Sequence, residues 1–192
     1  AVANLWIADV LAGFWRGHPE VMVDQIISDH GFGKAPTIDM YINYGQDHRG
    51  GWEQRPLYRD ELIPVGSPEM ADRLQGASIT DLAAERLIHL EAAEGHWTTW
   101  GEWFRAHGCP EPDTRGLRAN NSMVVLRAAM DGQGLALGWR RLLSPLLESG
   151  RLAVCSAHRL DAPHWFYLVS RPEQELSAPA RMLREWIGGA PT

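Results

Sequence analysis

Segments of strand-like composition and segments with helical spacing alternate along the whole chain, and most changes are marked by a capping residue, a glycine or a proline. This order predicts a mixed α/β fold with largely parallel sheets, because strands joined through crossover helices run in one direction. Leu5, Trp6, Ile7, Val10, Leu11, Phe14 and Trp15 recur at helical spacing as far as Gly17 and Pro19, so residues 4–16 are expected to form an amphipathic helix with a wide apolar stripe. Residues 21–28 are rich in β-branched side chains and read as a strand, and residues 37–44 read as another that ends at Gly45. Residues 29–36 between them, and residues 46–54 beyond, have the glycine and polar content of loops.

The alternation continues with a strand at 61–65 and a helix opened by Ser67 and Pro68, a cap followed by the one position where proline costs a helix nothing. Residues 80–85 form a short capped helix and 87–90 a short buried strand, and 97–107 a helix with Trp97, Trp100 and Phe104 on one face. Ser122 is positioned to cap a helix at 123–130 that stops at Gly132, before a small-residue strand at 135–137 between Gly134 and Gly138. A helix at 140–148, a strand at 165–170 and a helix running from Ser177 and Pro179 to Ile187 complete the reading.

Composition narrows the function classes. The chain has 192 residues, 45% of them hydrophobic and 22% charged, which supports one large domain or two small lobes and excludes a disordered, collagenous or disulfide-framework protein. No run approaches the ~18 to 20 apolar residues of a membrane span, and the first twenty residues do not have a signal peptide's pattern, so no membrane association is expected. The net charge is −6, from 24 acidic and 18 basic residues with Lys34 the single lysine, which argues against gripping nucleic acid by bulk electrostatics. Cys109 and Cys155 lie in unrelated contexts without a CxxC motif, so a reduced, cytoplasmic setting fits best.

Short motifs have ordinary explanations. Gly31-Phe32-Gly33-Lys34 lacks the glycine and the hydroxyl residue a phosphate loop needs, since those positions are Ser28 and Ala35, and it reads as a solvated turn. His107-Gly108-Cys109 is the one close metal-like pair among eight histidines and has no partners at ligand spacing, so a surface turn explains it and no metal is expected. Ser67 sits before a proline without a GxSxG frame. No acid, base or nucleophile constellation stands out, so no catalytic residues and no cofactor are expected and the chain is read as a non-enzyme.

Five ordered stretches carry a family resemblance: residues 14–21 (FWRGHPEV), 38–45 (IDMYINYG), 56–68 (PLYRDELIPVGSP), His89 with Trp97 and Trp100 after it, and residues 121–137 around the Gly132-Gln133-Gly134 turn. In that order they resemble the effector-binding domain of LysR-type transcriptional regulators, in the subgroup with the glycine-cleavage activator and the β-lactamase regulator. The resemblance implies two Rossmann-like lobes of the type II periplasmic-binding-protein kind. Crossings near Gly66 and Tyr167 would give lobe I residues 1–65 and 168–192, and lobe II residues 66–167. Three departures stand out: the strand expected before the opening helix is cut or absent, Asn43 replaces the usual arginine before Tyr44, and the family's helix-turn-helix does not occur within these residues.

The resemblance implies an effector held between the lobes. Helix N-termini present unpaired N–H groups and partial positive charge, so they can hold an anionic or zwitterionic effector without a lysine. Such ends are expected at residues 2–4, which include Ala3 and Asn4, at His96 and Trp97, and at Asn121 and Ser122, where plain helix capping is an equally good explanation. Tyr44, Gly45, Gln46 and Trp139 would complete the cleft by resemblance. Trp97, Trp100 and Trp139 could stack on a planar effector or surround a cationic one, with core packing as the competing role, and Trp6, Trp15 and Trp186 read as packing or subunit-interface residues. The family also implies a homodimer or tetramer that pairs the helix around residues 6–14 with a lobe II helix around residues 124–130, with DNA contacted only by the helix-turn-helix domain. The alternatives are a periplasmic solute-binding protein of the same fold and an enzyme on the same scaffold.

Overall fold

A computed structural model describes residues 6–27, 38–48, 50–91, 97–113 and 116–189. The chain divides into two compact units, one of residues 60–162 and one of residues 2–59 with 163–192. The chain passes between them inside two long strands, β2 (Glu53–Gly66) and β7 (Leu160–Ser170).

The unit of residues 60–162 is built on the second half of β2, β3 (Leu87–Leu90), β4 (Arg118–Ala119), β5 (Leu135–Trp139) and β6 (Ala153–Val154). Strand β3 is parallel to β5, with Leu87 opposite Leu135, and parallel to β4, with His89 opposite Arg118. Strand β2 is antiparallel to β5 and β6, and in the other unit β1 (Met40–Tyr44) is antiparallel to β7, with Met40 opposite Ser170. The sheet is therefore mixed rather than largely parallel: strands that carry the chain between units meet their neighbours without a crossover helix, and periodicity contains no information on direction.

Capping chemistry sets the helices of this unit. Ser67 accepts from Met70 N ahead of α2 (Pro68–Arg73), Ser78 and Asp81 form a capping box on α3 (Ile79–Ala83), and Thr99 and Glu102 form another on α4 (Trp100–Ala106). Helix α5 (Ser122–Met130) is capped by Asn121 rather than by Ser122, and α6 (Ser144–Glu148) follows a turn at 140–143. Leu82, Leu87, Trp103, Phe104, Leu135, Leu142 and Leu143 are among the fully buried side chains that fill the unit. Gly134 permits close approach of β5 to the preceding chain, since a Cβ there would lie 2.6 Å from Arg86 O.

The other unit joins α1 (Ile7–Gly17) and α7 (Ala178–Gly189) to β1, the start of β2 and the end of β7. Ile7, Leu11 and Phe14 of α1 are buried, and the Trp186 indole of α7 donates to Val10 O at 3.0 Å and meets the Phe14 ring edge-on. Trp186 thus packs on α1 along one side while remaining as exposed as Trp15, at 42% against 41%. Residues 21–27 form no strand and expose Met22, Ile26 and Ile27. β-branched composition favours a strand only where a neighbour supplies the ladder, and none is described for this segment.

Candidate functional site

In the unit of residues 60–162, β5 delivers Trp139 at its end, and the turn after it fixes the ring's surroundings. Asp60 holds that turn: Arg141 N donates to its two carboxylate oxygens at 3.0 and 3.2 Å, and Glu61 N donates at 2.7 Å. Burial pushes the Asp60 carboxyl above the usual carboxylate range, against these amide donors and Arg141, which pull it down. Leu143 N closes the turn by donating to Trp139 O, and Leu143 lies so near Gly138 that a Cβ there would sit 2.2 Å from its Cδ1.

Trp97 packs against Trp139 with ring centroids 4.3 Å apart and planes at 60°. Beside this pair is a recess of about 20 Å³ lined by Leu90, Ser122, Val125, Leu126, Trp139 and Leu142, among others, with Ser122 its one side chain bearing a polar group besides Trp139. Such a volume admits a water or a methyl-sized group. Of the expected site residues, Trp139, itself buried at 6% exposure, meets Trp97 on one side and shares the recess lining with Ser122.

Two expectations for this unit need correction. Trp100 is 2% exposed, donates its indole N–H to Ile88 O at 3.0 Å and stacks on Phe104, so it is a core residue with no face for a ligand. Helix α4 begins at Trp100, not Trp97, because the Thr99–Glu102 capping box sets its start; Glu102 Oε2 accepts from Thr99 N at 2.7 Å and already places a carboxylate at that end. At α5, Asn121 Oδ1 accepts from Met123 N and Val124 N, and Asn121 O accepts from Val125 N. Two of the four end donors of α5, those of Met123 and Val124, are thus capped by the Asn121 side chain, and the Ser122 hydroxyl is left out of the cap. His96, Ala3 and Asn4 lie outside the described residues.

In the other unit, Tyr44 ends β1 with its ring edge-on to His164 at 5.4 Å and tilted against Phe166 at 5.0 Å, and its hydroxyl accepts from His164 N. Gly45 adopts φ +87, a conformation that favours glycine, and donates its N–H to Trp165 O. Asn43, in place of arginine, donates to Gly45 O at 3.1 Å and so serves this turn rather than presenting a charge. Gln46 is exposed, next to Asp47, which is tied to Tyr41 and Gln54. His164, the exposed Trp165 and Asp60 are the residues that sequence reading missed; Asp60 lies in the charged run Arg59-Asp60-Glu61, which hides its burial, and nothing in the pattern marks His164.

Among the described residues no group of three His, Cys, Asp or Glu side chains is placed to hold a metal ion, and no helix is long and apolar enough to cross a membrane. Cys109 and Cys155 are free thiols.

The chain is 28% identical over 188 residues to the HTH-type transcriptional regulator PerR of Escherichia coli K12, covering 96% of this chain and 62% of that protein. It is 29% identical over 185 residues to the glycine cleavage system transcriptional activator of the same strain, covering 95% and 59%. The chain thus spans about three-fifths of the length of these relatives. The effector domain of the transcriptional regulator AmpR of Pseudomonas aeruginosa shares the fold, with a TM-score of 0.78 at 23% identity over 97% of this chain and 89% of that one. The family model for the LysR substrate binding domain matches residues 1–191, and with that match the chain belongs to the LysR substrate-binding domain family.

Proposed function

We propose that this chain is the effector-sensing part of a bacterial LysR-type transcriptional regulator and does no chemistry of its own. It holds a small metabolite between its two lobes, and a helix-turn-helix elsewhere in the polypeptide contacts DNA. The observation that carries the reading is the family match over residues 1–191. The effector's different affinity for alternative lobe arrangements biases the regulator toward one of them. Lobe I is residues 1–65 with 168–192 and lobe II is residues 66–167 in this reading, with the passages inside β2 and β7 as the flexing strands.

Tyr44, Gly45 and Gln46 would meet the effector from one unit, and Trp97, Ser122 and Trp139 from the other. The Asn121 and Thr99 caps engage half of the end donors of their two helices and place a carboxylate at one of them, which favours recognition by indole faces and the Ser122 hydroxyl over capture of a bare anion. A zwitterionic or planar metabolite fits such a surface, at ~0.5 to 2 kcal/mol per ring for a cationic group. The exposed Trp15 of α1, and Val124 of α5 at 50% exposure, support dimers that pair these helices across subunits in the cytoplasm.

The test is a thermal-shift screen of the purified chain against a metabolite panel, repeated with Ser122→Ala and Trp97→Ala. The reading expects a hit whose shift shrinks in these variants. Turnover of a hit, or a hit indifferent to both substitutions, would overturn it.

A further inference from the structure

A cavity of about 190 Å³ lies within the unit of residues 2–59 and 163–192, between α7 and the strands β2 and β7. Leu168 and Ser170 form its floor, since alternate residues of a strand share a face and both of these line it. The β1–β7 register sets Tyr44 opposite Phe166 and Met40 opposite Ser170. The floor is therefore ~13 Å along the ladder from the strand end that Tyr44 occupies, and the cavity is separate from the candidate effector residues.

Ser170 is only 3% exposed, and its hydroxyl has no hydrogen-bond partner among the described residues. A buried hydroxyl costs stability unless a polar group meets it, and here the cavity is where such a group can come from. The walls are charged. Arg184, 13% exposed at its side chain, is engaged by Glu53 at 3.0 Å and Glu173 at 2.9 Å. Glu185 has only long contacts, 3.6 Å to Arg184 and 3.5 Å to Arg55, against the ~2.8 Å of a charge-assisted hydrogen bond. Gly188 makes room for the Arg55 wall, since a Cβ there would lie 2.5 Å from Arg55 Nη1. Three carboxylates thus meet two guanidiniums, and Glu185 keeps acceptor capacity that neither arginine takes up at short range.

We propose that this cavity binds a small organic cation, an ammonium or guanidinium head on a short apolar tail. The head donates to the Glu185 carboxylate and the Ser170 hydroxyl, and the tail lies on Leu168. One positive charge balances the surplus carboxylate, whereas an anion would face that surplus and find Arg184 already engaged. The size fits, because a cavity of about 150 Å³ admits benzene. A ligand held here ties α7 to β2 and β7, the two strands that carry the chain into the other unit. The inference rests on this geometry and is independent of the effector.

The test uses the 192-residue chain, with n-butylammonium and methylguanidinium chlorides as probes and sodium butyrate as the anionic control at equal ionic strength. NMR titration is expected to show saturable shifts of the Ser170 and Glu185 amide signals with at least one of the cations and none with butyrate. Ser170→Ala and Glu185→Gln are each expected to weaken that cation about tenfold, the factor one hydrogen bond to a charged group supplies. Glu20→Gln, which removes the same charge from an exposed position of this unit, is expected to leave the affinity unchanged. The absence of saturable shifts with both cations overturns the proposal, as do saturable shifts of these amides with butyrate. So does an unchanged affinity in Ser170→Ala or in Glu185→Gln, or an equal loss in Glu20→Gln. Should Ser170→Ala fail to fold, Glu185→Gln decides alone.

Discussion

Asp60 accepts the backbone N–H of Arg141 across 81 residues of sequence, and this carboxylate fixes the turn after the strand that presents Trp139. Removing it in Asp60→Ala leaves the amides of Glu61 and Arg141 without their acceptor in a buried place, at an expected cost of about 1–3 kcal/mol in urea unfolding. Asp60→Asn keeps an acceptor oxygen and is expected to be milder. Because burial raises the carboxyl in the folded state, the folded chain binds more protons than the unfolded one between the ordinary carboxylate value and the raised one. Wild-type stability from this group therefore falls as pH rises through that window, and Asp60→Asn is expected to remove the slope.

Gly138 and Leu143 are fitted to each other. A methyl group at Gly138 would lie 2.2 Å from Leu143 Cδ1, and Leu143 is fully buried, so Gly138→Ala is expected to cost about 1–3 kcal/mol by overpacking. Adding Leu143→Ala makes room, and the double variant is expected to be more stable than the sum of the single effects. Chemical denaturation of the four proteins measures this coupling.

The two tryptophans of the Trp-x-x-Trp motif separate by role. Trp100→Ala empties a core position and is expected to destabilise by about 3–5 kcal/mol. Trp97, half-buried against Trp139, is expected to cost much less in stability and more in effector affinity. Parallel thermal melts and binding titrations of Trp97→Ala and Trp100→Ala distinguish the roles.

The cysteines are expected to differ in reactivity. Burial pushes the Cys155 thiol up to about 11, which keeps it protonated and shielded at neutral pH, whereas Cys109 is partly exposed. Alkylation of the native chain is expected to label Cys109 alone, and Cys155 only on unfolding, as read by intact mass.

Much of this architecture was legible because local chemistry decided it. The strand at Leu87–Leu90 stands as read from four residues, and Ser67 with Pro68 opens α2 as their capping chemistry requires. Strand β2 was seen only at 61–65, because Pro56, Arg59 and Asp60 break the apolar pattern where the strand runs on between units. The start of α4 was readable from the Thr99–Glu102 spacing but was obscured by counting apolar spacing from Trp97. Strand direction and the burial of Trp100 were not legible, since both depend on which distant segment arrives alongside. At the site, the sequence offered helix capping for both Asn121 and Ser122 but could not decide between them; Asn121 takes the cap, and Ser122 lines the recess.

The central claim is best tested by calorimetric titration of the purified chain with its strongest thermal-shift hit. The account expects saturable binding at one site per chain, weakened about tenfold or more by Ser122→Ala and by Trp97→Ala, the loss expected for one hydrogen bond or one ring contact. Equal affinity in the wild type and both variants, in chains that melt normally, would contradict it.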